Sequence, residues 1–139
     1  MKIYIDRAIR IINEIGLKNY IIIASINSIF GYSIGILAYK LFYEYFGIIF
    51  VGVFSSILAI IFAFLNNKIY IFKTPFKYFY SELRKTFLLN FIIFIISIIQ
   101  LYYLVEILSI SIFISQFIVI STTVLISVLG QIFFVFIKK

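Results

Sequence analysis

The residues able to do chemistry in this chain are few, and most of them are neutral amides and lysines. Cysteine and histidine are absent, and Asp6 is the only aspartate. This excludes disulfides, thiolate chemistry, histidine acid–base catalysis and ordinary zinc sites. Asp6 has no second aspartate with which to hold a metal and a diphosphate, and no glycine-rich phosphate loop is present. The sequence therefore predicts a protein that is not an enzyme and that uses no cofactor or metal.

Amides and lysines placed in a membrane suit a lipid that carries a phosphate and a sugar. The phosphate needs cationic donors at the interface, and the sugar needs hydrogen-bonding partners because unsatisfied polar groups are costly in hydrocarbon. Lys68, with Asn66 and Asn67 beside it, is predicted to capture the phosphate. Asn27 and Gln100 are predicted to bind sugar hydroxyls.

A purely structural role stays open for each of these residues. Lysines near helix ends extend to the interface and fix topology, which is the alternative role of Lys68. Amides inside helical bundles join helices, typically contributing less than about 2 kcal/mol each. Lys40 is predicted either to anchor the opposite interface or to receive the phosphate there.

The composition shows which elements must carry these side chains. Of 139 residues, 65% are hydrophobic, 21% aromatic and only 12% charged, whereas a soluble domain is about 45–50% apolar and about 25% charged. This excludes soluble globular and disordered proteins. The apolar runs do not alternate at every second residue as barrel strands do, so we expect an all-α membrane protein.

Four uncharged runs are each long enough to cross a bilayer. They predict four transmembrane helices, arranged as two tandem hairpins over about 19–72 and 86–137, with a short turn from Leu108 to Ser111. The four helices are expected near residues 19–41, 47–68, 86–105 and 112–136. This membrane domain, residues 19–139, follows an amphipathic interfacial helix over residues 1–18, in which apolar residues such as Ile5, Ile9 and Ile12 recur at helical spacing.

The basic residues predict the orientation. All but one of the 12 lysines and arginines lie in the N-terminal segment, in the loop between the second and third helices, or at the C-terminus. Lys40 alone lies on the other side. The positive-inside rule then predicts a multi-pass protein of the cytoplasmic membrane with both termini in the cytoplasm. The net charge of +7 is expected to contact anionic headgroups, not nucleic acid.

The two halves share a weak internal repeat. At an offset of 64 residues, the end of the second helix aligns with the end of the fourth, so that Asn67 matches Gln131 and Tyr70 matches Phe134. Parallel repeats of this kind occur in small transporters, with a site between the halves. In the second copy, Ile132 stands where the first has Lys68.

The run Phe64-Leu-Asn-Asn67-Lys68-Ile-Tyr70-Ile-Phe72 resembles the helix-2 signature of GtrA-like membrane proteins, and Ala24-Ser-Ile-Asn27-Ser28 resembles the opening of their first helix. Similar domains anchor polyprenyl-phosphate mannose synthases. The resemblance covers roughly Lys18 to Lys138, although Tyr70 replaces the usual tryptophan. It adds Tyr70 and Gln131 to the predicted substrate-binding residues.

The resemblance implies a function in moving, or helping to move, a polyprenyl-phosphate-linked sugar across the cytoplasmic membrane for cell-surface polysaccharide modification. The implied partners are this lipid, a glycosyltransferase and further copies of the chain. Two alternatives remain: a small multidrug-type exporter and a non-transporting anchor for a glycosyltransferase. The exporter needs an acidic residue deep in the first helix, where this chain has Asn27, and Glu44 lies at the far end.

Overall fold

The computed structural model describes residue 6, residues 9–10 and 13–14, and residues 16–136. In this part of the chain every regular element is helical. The α-helices are α1 (Leu17–Asn66), α2 (Phe79–Tyr102) and α3 (Ile112–Gly130). Each is followed by a short π-helix: π1 (Asn67–Phe72), π2 (Tyr103–Ile107) and π3 (Gln131–Val135). A 3₁₀ turn, Phe76–Tyr78, precedes α2.

Three stretches of the described chain are long and apolar enough to cross a membrane: Lys18–Phe72, Phe76–Ile107 and Ile112–Val135. Large apolar side chains cover their outer surface, among them Ile49 at 81% exposed and Phe113 at 85% exposed. Such a surface is stable in lipid, because water would leave extensive hydrocarbon hydrated. The described chain is thus an all-helical membrane protein.

The prediction of four separate helices was wrong in its first half, because no loop separates the first two helices: they meet at a single non-helical residue and form one element, α1. Residues 42–46, predicted to form a loop, are helical. The helical path is interrupted only at Gly47, whose φ of 75° and ψ of 176° lie outside the helical region. This conformation is essentially restricted to glycine. Gly47 divides α1 into two arms, α1a (residues 17–46) and α1b (residues 48–66).

Contacts between α1a and α1b show that the chain reverses direction at Gly47. The rings of Phe30 and Phe62 stack with centroids 3.8 Å apart, and those of Phe42 and Phe54 meet edge-on at 5.2 Å. Residue numbers fall along one arm as they rise along the other, which is the register of an antiparallel pair. We call residues 17–72 the first hairpin.

The second hairpin, residues 79–135, consists of α2, π2, α3 and π3. Residues 108–111, predicted to form a turn, lie outside the helices, and Ser109 has a φ of 52°. Gln100 is hydrogen-bonded to Thr122, and a Cβ placed at Gly130 would overlap the side chain of Leu89. These contacts make α2 and α3 antiparallel, with their backbones in close approach at Gly130.

The hairpins belong to two compact units, Met1–Tyr78 and Phe79–Lys139, and they share a local design at the offset of 64 residues found in the sequence. π1 begins at Asn67 and π3 begins at Gln131. A π-helix adds a residue to the turn and often occurs at functional sites. Buried residues recur at the same offset, in the pairs Val51 and Ser115, Lys68 and Ile132, Ile71 and Val135, and Phe72 and Phe136.

Only some residues at the two ends of the chain are among the described residues. Within the predicted N-terminal amphipathic helix, residues 6, 9, 10, 13 and 14 are helical and exposed, and Arg10 pairs with Glu14 at 4.0 Å. The apolar residues Ile5 and Ile12, on which that prediction depends, lie outside the described residues, as do residues 137–139. α2 begins at Phe79, seven residues before the predicted start, because the aromatic and charged segment before Thr86 is itself helical.

Candidate functional site

Lys68 is the most unusual residue of the first hairpin, because its side chain is completely buried, with 0% of it exposed. Its Nζ donates hydrogen bonds to Thr74 Oγ1 at 2.9 Å and to the Pro75 carbonyl oxygen at 3.0 Å. The ring of Phe76 lies 5.6 Å from Nζ, a cation–π contact. Burial of an ammonium group is costly unless hydrogen bonds satisfy it, so the loop and the lysine stabilise one another.

The backbone after π1 brings this loop over Lys68. Lys73 ends π1 in a left-handed conformation, with φ 49° and ψ 43°, and this reverses the chain. Thr74 and Pro75 follow, and a 3₁₀ turn begins at Phe76. Proline fixes its own φ and disfavours a helical conformation in the residue before it, so the loop cannot continue as helix. The loop 73–75 is therefore a cover over the buried ammonium.

Asn27 and Asn66 connect the two arms of the first hairpin, and Asn66 lies two residues before Lys68 in the sequence. Asn66 Nδ2 donates a hydrogen bond to Asn27 Oδ1 at 2.8 Å, and both side chains are half-buried. Near this pair, the space where Gly31 lacks a Cβ faces Ala59, with 3.6 Å between the two Cβ positions. The predicted sugar-binding Asn27 is therefore an interhelical partner in this structure, as the structural alternative proposed.

The other predicted site residues of π1, Asn67 and Tyr70, differ in the exposure of their side chains. Asn67 is buried, whereas the Tyr70 side chain is 60% exposed. Asn66, Asn67 and Lys68 are neighbours in sequence and remain together at the end of the first hairpin. Tyr70 does not share the buried environment of Lys68, and its ring faces outward.

Lys40 lies at the opposite end of the first hairpin. The register of the phenylalanine contacts places it level with Gly52, 16 residues before Lys68. At 1.5 Å per residue this corresponds to about 24 Å along the helix axis. Lys40 is exposed, and no described residue forms a hydrogen bond or ion pair with it. The two predicted phosphate-binding lysines therefore lie at opposite ends of the hairpin, too far apart to contact the same phosphate group.

The amides of the second hairpin bind within that hairpin. Gln100 Nε2 donates to Thr122 Oγ1 at 3.1 Å, while Gln100 Oε1 is buried without a partner among the described residues. Gln131 Nε2 donates to Ser127 Oγ at 3.3 Å, one turn earlier. Gln100 and Gln131 are not in contact with each other in this arrangement, because Gln131 lies nine residues beyond Thr122, about 13 Å along α3 and π3.

Sequence reasoning missed three partners in these sites. Thr74 and Pro75 accept hydrogen bonds from Lys68, and Thr122 accepts one from Gln100. It also missed Lys85, whose Nζ lies 5.7 Å from the ring of Phe134. The signal for the first pair was available: a hydroxyl and a proline follow a helix-terminal lysine within seven residues. No comparable signal marks Lys85, which only counted towards orientation.

The chemistry that these groups support is binding. The sites offer ammonium groups and amides, and no described group of three histidine, cysteine, aspartate or glutamate side chains is placed to hold a metal ion. Lysine at a hairpin end pairs with phosphate as a point charge, and amides accept from and donate to hydroxyls. An amphiphile with an anionic headgroup fits this set of donors.

Comparison with known proteins adds no relative to this description. No family model, curated protein or solved structure matches the chain. The resemblance to GtrA-like proteins therefore stays a prediction from the sequence.

Proposed function

We propose that this protein translocates, or assists in translocating, a polyprenyl-phosphate-linked sugar across the cytoplasmic membrane for modification of a cell-surface polysaccharide. The observation that carries the proposal is a pair of lysines about 24 Å apart at opposite ends of one apolar hairpin, Lys68 buried beneath a loop and Lys40 exposed. A phosphate carried from one leaflet to the other needs a cation on each side.

In this proposal α1a, α1b, α2 and α3 each cross the bilayer, so that the two hairpins form four transmembrane segments. A hydrocarbon core is about 30 Å thick, which α1a, with 30 residues, and α1b with π1, with 25, are long enough to span. The basic loop after π1 and both termini then lie in the cytoplasm, following the positive-inside rule. Lys68 faces the cytoplasmic leaflet and Lys40 the outer leaflet.

Lys68 is proposed to accept the lipid phosphate when the loop 73–75 moves away. In the structure, two of its donors are held by Thr74 Oγ1 and the Pro75 carbonyl oxygen, both neutral acceptors. A phosphate carries a full negative charge, which attracts the ammonium more strongly than the dipole of a hydroxyl or carbonyl oxygen does. The Asn27–Asn66 pair lies on the same hairpin and supplies amides to the sugar.

The experiment that tests this function is binding and transport by the purified protein in lipid vesicles. The probe is undecaprenyl phosphate for binding, and a fluorescent polyprenyl-phosphate sugar for translocation, measured as loss of protection from a membrane-impermeant quencher. Lys68→Met is expected to weaken undecaprenyl phosphate binding about tenfold or more, because a charge-assisted hydrogen bond is lost. Lys77→Met, which removes an exposed charge from the same region, is the matched control and leaves binding unchanged.

Thr74→Val provides a second measurement if Lys68→Met fails to fold. Removing one of the oxygens that hold the ammonium is expected to tighten undecaprenyl phosphate binding, since the loop competes less well. Equal binding by wild type, Lys68→Met and Thr74→Val would contradict a phosphate site at Lys68. Stability that depends on a glycosyltransferase, without lipid binding, would support the anchor instead. Proton-coupled efflux of cationic drugs would support the exporter.

A further inference from the structure

A groove on the surface of α1a ends at Lys40. It has a volume of about 470 Å³ and is lined by Gly31, Tyr32, Gly35, Ile36, Tyr39 and Lys40. Nothing lies within 4 Å of the position where Gly35 lacks a Cβ, so the absent side chain leaves the floor of the groove open. The groove extends over nine residues, about 13 Å along the helix from Lys40 towards the middle of α1a.

Aromatic side chains form its walls. Tyr39 is stacked on Tyr43, with ring centroids 4.5 Å apart and an interplanar angle of 25°. This contact holds Tyr39 beside Lys40. Tyr32 is 74% exposed and rises at the other end of the groove. The groove is therefore apolar along its length, with the Lys40 ammonium as the single cation at one end.

The shape and charge of the groove fit a lipid chain with an anionic head. An apolar chain covers the lining between Tyr32 and Tyr39, and a phosphate placed at Lys40 pairs with an ammonium that forms no hydrogen bond or ion pair with any described residue. A second copy of the chain fits less well. The exposed ring of Tyr32 obstructs the close backbone approach that small-residue interfaces require, and a parallel second copy would bring two Lys40 side chains together.

We infer that this groove binds the phosphate-proximal isoprene units of the polyprenyl-phosphate lipid, with the phosphate at Lys40. The inference depends on the proposed function, because that function supplies the ligand. It assigns a separate lipid site to the end of the first hairpin opposite Lys68. The groove holds the hydrocarbon chain and Lys40 holds the head, so both are required.

The test uses the full chain in nanodiscs and measures bound undecaprenyl phosphate by native mass spectrometry. Gly35→Leu, which fills the floor of the groove, and Lys40→Met are each expected to lower the affinity about tenfold. Gly52→Leu is the matched control. Gly52 lies level with Lys40 on α1b, also has nothing within 4 Å of its Cβ position, and does not line the groove. Its variant is expected to bind like wild type.

A competition measurement establishes which lipid occupies the groove. Phosphatidylglycerol and farnesol are expected to displace undecaprenyl phosphate poorly, since the first lacks the isoprenoid chain and the second lacks the phosphate. Displacement by phosphatidylglycerol at equal concentration would overturn the inference in favour of a general anionic-lipid site. A dimer in wild type that disappears in Gly35→Leu would overturn it in favour of a second copy.

The outcomes separate this inference from the proposed function. If Lys68→Met loses binding while Gly35→Leu and Lys40→Met retain it, the groove is not a lipid site, and the lipid-binding part of the function rests on Lys68 alone. If wild type binds no undecaprenyl phosphate, the function itself fails. Photo-crosslinking from a benzophenone side chain at Ile36 gives an independent measurement, with capture of the isoprenoid expected in wild type and lost in Gly35→Leu.

Discussion

The ends of the two hairpins that carry π1 and π3 begin in the same way and differ in chemistry. Each α-helix passes into a π-helix at positions 64 residues apart. In each the second residue is buried, Lys68 in π1 and Ile132 in π3. π1 therefore encloses an ammonium group that hydrogen-bonds its own loop, whereas π3 encloses a hydrocarbon side chain.

The comparison shows that the repeated geometry does not by itself require a charge. A buried isoleucine gains free energy from burial alone, while a buried lysine depends on the oxygen atoms of Thr74 and Pro75. In the second hairpin a cation approaches from outside, as Lys85 over the ring of Phe134. The two hairpins thus differ in what they bury at this position, an ammonium group in the first and a hydrocarbon side chain in the second.

The largest effect is expected from placing a lysine at the buried position of π3, where the second hairpin has Ile132. Ile132→Lys buries an ammonium in a hairpin whose residues 64 positions after Thr74 and Pro75 are Lys138 and Lys139, and should destabilise the protein by about 3–5 kcal/mol. The measurement is the free energy of unfolding in mixed micelles, from the loss of helical circular dichroism. Ile132→Leu, which keeps the volume, should cost less than about 1.5 kcal/mol. A stable Ile132→Lys protein would show that both ends accept a cation equally.

The turns of the two hairpins provide the next comparison. Gly47 has a φ of 75° and a ψ of 176°, and Gly47→Ala should destabilise the protein by about 1–3 kcal/mol because a side chain strains this conformation. Ser109 in the second turn already has a positive φ of 52°, so Ser109→Gly should change stability by less than about 1 kcal/mol. Thermal unfolding in detergent measures both.

A matched control for the first turn is Gly52→Ala. Gly52 lies within a helical arm and has open space at its Cβ position, so alanine should stabilise it by about 0.5–1 kcal/mol. If Gly47→Ala and Gly52→Ala behaved alike, the reversal at Gly47 would not depend on glycine.

The smallest effect is expected in the amide pairs. A double-mutant cycle with Asn27→Leu and Asn66→Leu should give a coupling energy of about 0.5–1.5 kcal/mol, the range of interhelical hydrogen bonds in membranes. Gln100→Leu should cost less than Asn27→Leu, because it also removes Oε1, which is buried without a partner among the described residues. A larger cost at Gln100 would indicate that a further group binds that oxygen.

The apolar runs predicted the helices well because burial in lipid requires long uncharged segments. They failed between Lys40 and Gly47, where charged and aromatic residues favour a loop but the chain remains helical. The reversal falls on one glycine, Gly47, whereas Gly52 stays helical, and the local sequence does not show which of the two takes the positive φ.

The candidate site was predictable in its residues more than in its surroundings. The motif identified Lys68 and its neighbouring amides, and the charge pattern isolated Lys40. The burial of Lys68 was not foreseen, because it depends on the left-handed conformation of Lys73, which returns the loop onto the helix. The sequence shows the two acceptor residues, Thr74 and Pro75, but it does not show the backbone conformation that brings them to Lys68 Nζ.

Because the first hairpin reverses direction at the single residue Gly47, the connection between its two arms is very short. One residue spans at most about 3.6 Å, whereas the four residues 108–111 span up to about 14 Å. The arms α1a and α1b consequently cannot slide past one another by a helical turn without breaking this connection. The longer turn at residues 108–111 leaves α2 and α3 more freedom to shift along one another.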